Sequence, residues 1–287
     1  TDRHGVLMER KATPNQQFWR DAALPFVEAQ RVQDGRDICF AKHSHDTFSI
    51  GAITGGASTC WNRGHSHDVT AGSVVVINPE DVHACNPRNG VPWSYQMIYL
   101  ECDWLRDLQC DIGADASGNF AMFADIVPKD AGLYHDLTAM GDALFDGDID
   151  ALGKETALVA FFTDLHDRLD RKGGLSDVGA GDNTKMAWAA DFIRSHCVDA
   201  LSLADICGAV GVSPSHLVRA FKKTYGMTPY AYLINCRIQR ARHALRRGDK
   251  IVDVALETGF ADQAHFQRMF KRLTAITPRL YARAQAA

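Results

Sequence analysis

Two segments near the C-terminal end of the chain repeat each other, and this repeat limits the possible folds more than any other feature. "SPSHLVRAFKKTYGMTPYAY" (213–232) aligns without gaps to "DQAHFQRMFKRLTAITPRLY" (262–281). The coinciding pairs are His216/His265, Arg219/Arg268, Phe221/Phe270, Lys222/Lys271, Thr228/Thr277, Pro229/Pro278 and Tyr232/Tyr281. An internal repeat of this kind predicts one supersecondary unit that is used twice.

The first copy has the parts of a helix–turn–helix. Ser202 and Asp205 form a capping box at the start of the short helix "LADICGAV". Gly211 suits the turn with positive φ that follows. Ser213 can cap the second helix, with Pro214 at its first position.

The second copy has the same parts in the same order. Its short helix is "IVDVALET", its turn residue is Gly259, and its cap is Asp262. The segment 233–247, "LINCRIQRARHALRR", predicts a helix that connects the two units. The two copies together predict an all-α C-terminal domain.

The second helix of each copy has two faces of different character. The apolar stripe that faces the core consists of Leu217, Ala220 and Phe221 in one copy and of Phe266, Met269, Phe270 and Leu273 in the other. The opposite faces carry Ser215, Val218, Arg219 and Lys222, and Ala264, Gln267, Arg268 and Lys271. Arg can pair with guanine, Gln with adenine, and Val or Ala with a thymine methyl, so these faces suit a DNA major groove.

Neighbouring residues complete the predicted DNA contacts. The first turns of the two helices add His216, Gln263 and His265. Basic residues nearer the helix ends suit phosphates, and these are Lys222, Lys223, Lys271 and Arg272.

The charge is distributed unevenly along the chain. Residues 182–287 hold 16 Lys and Arg against 8 Asp and Glu, a net charge of +8, whereas residues 1–181 carry −12. A basic end on an acidic body is expected when only that end meets a polyanion. An ordinary helical domain with a basic solvated face is the alternative, and the duplication and glycine turns argue against it.

The chain resembles the AraC/XylS transcription regulators at this point. Residues 251–281, "IVDVALETGFADQAHFQRMFKRLTAITPRLY", match the pattern I-x-x-V-A-x-x-x-G-F-x-D-x-x-x-F-x-R-x-F-K followed by T-P-x-x-Y. The resemblance implies two recognition helices in successive major grooves on one face of the DNA. Two departures are visible: Ala275 stands where the family usually has a helix-capping glycine, and Cys207 replaces a small alanine.

The N-terminal part predicts a different architecture. Between 24 and 126, short segments rich in β-branched and aromatic residues alternate with turns, which favours an antiparallel barrel or sandwich. These segments are "ICFAKHSH", "FSIGAIT", "ASTCWN", "HDVT", "SVVVIN" and "WSYQMIYLE". Apolar residues at helical spacing then predict a helical hairpin over 130–170, which packs on the barrel or on a second subunit.

These elements predict an α+β two-domain chain. The N-terminal domain is an antiparallel β-barrel with a helical hairpin, and the C-terminal domain is an all-α double helix–turn–helix. The predicted boundaries are an arm at 1–23, an effector-binding and dimerisation domain at 24–170, a glycine-rich linker at 171–183 and a DNA-binding domain at 184–287.

The histidines in "FAKHSHDTFSIG" (40–51) raise the question of a metal site. His43 and His45 are two residues apart, so on a strand they point to the same face. The region resembles the family's cupin-like effector domain, and cupin enzymes hold a metal with such a pair, a nearby glutamate and a later histidine. His83 supplies the third histidine. The nearby glutamate is missing, because the first glutamate after His45 is Glu80. Three neutral histidines could still hold Zn²⁺, Ni²⁺ or Fe²⁺, so a metal-dependent cupin-type enzyme or metal sensor remains the alternative.

We predict instead that this region binds a small-molecule effector, with no cofactor and no catalysis. The predicted effector-binding residues are His43, His45, Phe48, Trp61, His83, Trp93 and Tyr95. Aromatic rings beside histidines can stack on a planar ligand and hydrogen-bond its edges. A second pair, His65 and His67, is expected at an exposed hairpin end.

The remaining features concern partners and location. No apolar run approaches the roughly 18 residues of a membrane span, and the start "TDRHGVLMER" lacks the core of a signal peptide, so the chain is expected to be cytoplasmic. Its eight cysteines show no metal-site spacing and are expected to be reduced. The predicted partners are double-stranded DNA, the effector, a second copy of the chain through the 133–170 helices, and RNA polymerase.

Overall fold

The computed structural model describes residues 15–88, 91–113, 119–169 and 182–283. Most of the predicted arm (1–23) and nearly all of the predicted linker (171–183) lie outside these residues. Within them, no helix has the length and apolar character needed to cross a membrane.

Within the described residues, seven antiparallel strands form the sheet of the N-terminal domain. They are β1 (Asn15–Trp19), β2 (Val27–Gln33), β3 (Phe48–Asn62), β4 (His65–Thr70), β5 (Val74–Ile77), β6 (His83–Pro87) and β7 (Trp93–Leu100). Hydrogen bonds link them in the order β1-β2-β7-β3-β4, and β5 and β6 also pair with β3. Among the described strands this path does not return to β1, so the predicted barrel is an open one.

The long strand β3 belongs to both halves of this arrangement. Its first half pairs with β5 and β7, and its second half pairs with β4 and β6. A register shift between Ile53 and Gly55 separates the halves. An irregularity of this kind bends a strand without ending it. The predicted segments "FSIGAIT" and "ASTCWN" are therefore two halves of one bent strand.

The strand boundaries differ from the prediction at both ends of the domain. Residues 15–19, predicted as part of an arm, pair with β2 as strand β1. The segment "ICFAKHSH" is not a regular strand and makes only one bridge, between His43 and His83. Side chains replace strand partners there: Phe40 N donates to Asn86 Oδ1 at 2.7 Å. Helix α1 (Cys102–Asp111), which follows β7, was not predicted.

The predicted hairpin is present as α2 (Ala131–Phe145) and α3 (Ala151–Arg168), each capped by an aspartate, Asp130 and Asp150. Its apolar residues pack on one face of the sheet. Phe48 and Ile98 from the strands share this core with Leu137 and Phe162 from the helices. The other face of the sheet is therefore left to enclose the interior of the domain.

Seven helices form the described part of the C-terminal domain. They are α4 (Asp182–Ser195), α5 (Leu203–Val210), α6 (Pro214–Tyr225), α7 (Pro229–Arg246), α8 (Ile251–Glu257), α9 (Gln263–Thr274) and α10 (Pro278–Arg283). One core contains α6 residues such as Phe221, and the other contains α9 residues such as Phe270. Helix α7 contributes to both, with Leu233 in the first core and Ile238 in the second, and so fixes one unit relative to the other.

Candidate functional site: two recognition helices and a histidine-lined cavity

Helix α6 is held by caps at both ends. The Ser213 hydroxyl accepts a hydrogen bond from His216 N at 3.4 Å, and Gly226 ends the helix with φ 70°. Leu217 and Phe221 are fully buried beneath it. Its outer face is therefore presented to solvent in a fixed orientation, as a groove-reading helix requires.

Helix α9 repeats this arrangement with different cap residues. The Asp262 carboxylate accepts from His265 N at 2.6 Å, and Ala275 ends the helix with φ 61°. The departure from glycine at residue 275 thus leaves the left-handed cap in place. The fully buried Phe266 and Phe270 anchor the inner face.

Most of the predicted DNA-contacting side chains are exposed. The exposed ones are Ser215, Arg219, Lys222, Lys223, Gln263, Ala264, Gln267, Arg268, Lys271 and Arg272. The half-buried ones are His216, Val218 and His265. His265 packs edge-on against the Phe260 ring, with centroids 5.4 Å apart, so it lies between the groove face and the core.

The N-terminal domain encloses a cavity on the sheet face opposite the hairpin. Five predicted effector residues line it, namely His43, His45, His83, Trp93 and Tyr95. The cavity has a volume of about 50 Å³. A single water needs about 10–15 Å³, so the cavity has room for more than one water-sized group.

Two other predicted effector residues lie elsewhere. Phe48 is on the opposite face of β3, packed against Phe123 and Phe162 in the hairpin core. Trp61 lies between the domains, where Lys42 Nζ is 3.3 Å from its ring centroid and its ring edge abuts Gly226. Neither residue lines the cavity. Of the second histidine pair, His65 is exposed at the hairpin end, as predicted, whereas His67 is half-buried.

The three cavity histidines share one hydrogen-bonding arrangement. The Nδ1 atoms of His43, His45 and His83 lie 2.8–2.9 Å from the backbone oxygens of Ala41, Thr47 and Asp81. A carbonyl oxygen only accepts, so each Nδ1 carries the proton and each Nε2 is left with an acceptor lone pair, which at His45 lies 3.4 Å from Ser49 Oγ. Burial lowers the pKa of His43 and His45 well below the ordinary value and the pKa of His83 to about 4. All three rings are therefore neutral at pH 7.

The cupin resemblance implies a metal, and the described residues do not fit one. The ring centroids lie 4.4 Å (His43–His83), 4.8 Å (His45–His83) and 6.2 Å (His43–His45) apart. No group of three His, Cys, Asp or Glu side chains in the described part of the chain converges closely enough to hold a metal ion.

One pair of cysteines differs from expectation. Cys60 on β3 and Cys85 on β6 are directly opposite across the two strands and form a disulfide. The prediction that all eight cysteines are reduced is wrong for this pair. Sequence spacing could not show it, because the two residues meet only through strand pairing.

The lowered pKa of His83 predicts a pH-dependent stability. Between pH 6.5 and pH 4 the unfolded chain binds a proton at this residue that the folded chain does not, so stability falls as the pH drops. From pH 7 to pH 5 we expect the wild type to lose about 2 kcal/mol more than His83→Asn in urea unfolding. Burial raises the pKa of Asp81 to about 6, which acts in the opposite sense in both proteins. Equal losses of stability in the wild type and in His83→Asn would contradict the lowered pKa of His83.

The histidine segment also contacts the linking helix of the C-terminal domain. Ser44 N donates to Asn235 Oδ1 at 3.2 Å, and Asn235 Nδ2 donates to Ser44 Oγ at 3.1 Å. Gln239 Nε2 donates to Ser44 O at 2.9 Å, and His243 Nε2 lies 2.9 Å from an Asp46 carboxylate oxygen. Residues 43 and 45 therefore line the cavity while residues 44 and 46 hold α7, and sequence reasoning missed this second role.

A buried ionic cluster joins the two domains beside this segment. Glu28 on β2 is 2% exposed and pairs with Arg20 at 2.6 Å and with Arg242 of α7 at 3.5 Å. The Tyr281 hydroxyl donates to Glu28 at 3.3 Å. Burial alone would raise the pKa of Glu28, but the two arginines outweigh it and the pKa lies below its ordinary value.

A second, smaller cavity lies between the domains against this cluster. Its lining includes Arg242, Gln239 and Tyr281 from the C-terminal domain and Glu28 from the N-terminal domain. It shares four wall residues with the histidine cavity, which are Phe40, His43, His45 and Tyr99. The histidine cavity and the linking helix are thus separated by a single layer of side chains.

Comparison with known proteins identifies both domains. Residues 28–162 match the family model described as an AraC-like ligand binding domain, and residues 206–284 match one described as a helix-turn-helix domain. The HTH-type transcriptional regulator YbfI of Bacillus subtilis is 29% identical over 230 residues, which is 79% of this chain and 81% of YbfI. The HTH-type transcriptional activator RhaS of Klebsiella pneumoniae is 23% identical over 248 residues, 84% of this chain and 86% of RhaS.

Solved structures show the same fold. ToxT of Vibrio cholerae superposes with a TM-score of 0.56 at 14% identity, covering 95% of this chain and 98% of ToxT. Fold, paired recognition helices and relatives together define a DNA-binding transcription regulator with an N-terminal ligand-binding domain, and not an enzyme. The chain belongs to the AraC/XylS family of transcription regulators.

Proposed function

We propose that the chain is a regulator whose histidine-lined cavity binds a small-molecule effector and thereby controls how α6 and α9 meet DNA. The observation that carries the proposal is the double role of residues 43–46. His43 and His45 line the cavity, whereas Ser44 and Asp46 hydrogen-bond the linking helix α7. A ligand that moves the first pair must also move the second.

The DNA contacts follow from the paired recognition helices. Arg219 of α6 and Arg268 of α9 occupy equivalent exposed positions, suited to guanine. Helix α7, with its 18 residues, is about 27 Å long at 1.5 Å per residue and is the fixed connection between the two units. We expect two major-groove half-elements about one helical turn apart, bound with strong salt dependence.

Further partners belong to the same proposal. Leu152 and Val159 of α3 are exposed apolar side chains seven residues apart, 72% and 39% exposed, which supports a homodimer through the hairpin. RhaS is named a transcriptional activator, and by analogy this chain would activate by contacting RNA polymerase from a cytoplasmic location. ToxT has been solved with a bound unsaturated fatty acid, so another protein of this fold accommodates a small molecule.

The test is DNA affinity measured with and without a cavity ligand. A thermal-shift screen supplies the ligand, since a ligand that binds only the folded chain raises its melting temperature. The duplex is obtained by selecting, from a pool of random-sequence DNA, the duplexes that the chain binds. Saturating ligand is expected to change the affinity for the selected duplex by about fivefold or more, a typical coupling between sites.

Asn235→Ala tests whether the effect of the ligand on DNA affinity depends on the contact between Ser44 and α7. This variant removes the paired hydrogen bonds to Ser44, so the ligand should still bind while its effect on DNA affinity falls by at least half. Arg240→Ala is the control, because Arg240 is exposed on the same helix and should leave the ligand-induced ratio unchanged. A full response in Asn235→Ala would contradict the route through residues 43–46.

A further inference from the structure

The geometry points to the chemical class of the effector: a small uncharged ring that carries two or more hydroxyl or N–H donors along one edge, and not an anion. The inference rests on the proposed function, because it concerns the same cavity. It follows from the hydrogen-bonding groups and the apolar side chains that line the cavity.

The polar wall offers acceptors. His43, His45 and His83 have their Nδ1 protons committed to backbone carbonyls, so their Nε2 atoms can only accept. The Ser49 hydroxyl, 3.4 Å from His45 Nε2, is a long contact to one of them. Each of the three rings offers one lone pair of its own, so together they suit several donors on one molecule.

The other walls exclude charge. Among the residues that the structure describes, the lining includes no Asp, Glu, Lys or Arg, and the apolar side chains Ile53, Val75, Ile77 and Met97 face the space. An unpaired carboxylate in such surroundings carries a desolvation cost of several kcal/mol. A fully hydroxylated molecule would leave hydroxyls unpaired against these apolar walls, so donors confined to one edge fit best.

One polar atom of the cavity lining has no hydrogen-bond partner among the described residues. The Tyr95 hydroxyl is buried, makes no hydrogen bond to any described residue and belongs to a side chain that lines the cavity. Its ring packs against Trp93 with centroids 4.5 Å apart, which gives the space a flat aromatic wall. A buried hydroxyl without a partner is costly in the folded chain, and a ligand oxygen would satisfy it.

Resorcinol is the probe for this chemistry, with two controls of similar ring size. 1,3-Dimethoxybenzene lacks the donors, and benzoate carries the charge. In the full chain labelled with ¹⁵N-histidine, resorcinol should move the Nε2 resonances of the three cavity histidines and leave that of exposed His65 in place. Calorimetry should show both controls binding at least about tenfold more weakly.

Tyr95→Phe separates a ligand contact from a structural role. Loss of a hydroxyl that has no partner should leave the melting temperature of the free protein unchanged or raised, while resorcinol binds about threefold to tenfold more weakly. A lowered melting temperature with unchanged resorcinol binding would assign Tyr95 to the core and overturn its part in the site.

The outcomes separate this inference from the proposed function. Benzoate binding that equals or exceeds resorcinol binding, or stoichiometric Zn²⁺ on the three histidines, overturns the chemistry but leaves the cavity as the effector site. Failure of resorcinol to move any cavity histidine also overturns the chemistry. A ligand that changes DNA affinity equally in the wild type and in His83→Asn places the effector elsewhere and overturns the proposed function.

Discussion

Replacing Glu28 with glutamine is expected to lower the free energy of unfolding by about 3–5 kcal/mol, although the two side chains have the same size. Glu28 is buried between Arg20 and Arg242, and the neutral amide would leave both cations facing each other without a counter-charge. The Tyr281 hydroxyl would also lose its carboxylate acceptor. Urea unfolding followed by tryptophan fluorescence and by circular dichroism measures the loss.

A double-mutant cycle isolates the ionic contribution. In an Arg242→Met background one of the two cations is already absent, so Glu28→Gln should cost at least 1 kcal/mol less, within the usual range for contacting residues. The exposed pair Arg36 and Asp34 is the comparison, since Asp34→Asn should change stability by less than about 1 kcal/mol. Identical costs of Glu28→Gln in both backgrounds would contradict the cluster as a stabilising unit.

Replacing Arg268 with alanine is expected to weaken binding to the selected duplex by about 1–3 kcal/mol, roughly fivefold to 150-fold, and to relax selectivity at one base position. The side chain is exposed on the outer face of α9, opposite the buried Phe266 and Phe270, so its loss leaves the helix packing intact. A binding selection repeated with the variant measures both effects.

Two further variants define what the Arg268 result means. Lys271→Ala should weaken all sequences about equally and reduce the salt slope by about 1, as expected for a phosphate contact. Arg219→Ala should relax selectivity in the other half-element, because α6 carries it at the matching position. Unchanged selectivity in Arg268→Ala would overturn the assignment of α9 as a recognition helix.

The C-terminal domain was predictable because its determinants are local. Capping residues such as Ser213 and Asp262, and the turn residue Gly211, act within one helical turn of their own position. The apolar stripe that ends in Phe270 follows the helical period. What the sequence left open was residue 275, where alanine adopts φ 61° because the surrounding core holds the cap.

The cavity lining was predictable only in part. Side chains along a strand alternate between the two faces of the sheet, and a bulge in β3 interrupts this alternation. On β3, Ile53 faces the cavity and Phe48 faces the hairpin, as side chains of opposite parity must. The shift after Ile53 reverses that parity, so Cys60 points inward and Trp61 points toward the C-terminal domain. The position of such a shift depends on strand pairing that composition does not reveal.

The contacts between domains were not predictable from local patterns. Ser44 and Asn235 are separated by 191 residues, and Glu28 and Tyr281 by 253. Nothing in the short stretch around either residue indicates its partner. Residues 43 and 45 line the cavity and residues 44 and 46 contact α7. This double role is therefore visible only in the structure of the two domains together.

The central claim is that effector and DNA act on one another through residues 43–46. Coupling between two binding sites is reciprocal, so the selected duplex must change the affinity for the cavity ligand by the same factor by which the ligand changes the affinity for the duplex. Calorimetric titration of the ligand into the free chain and into the chain–duplex complex measures this directly. We predict equal factors of about fivefold or more in both directions. A ligand that occupies the histidine cavity with the same affinity in both titrations would contradict the account.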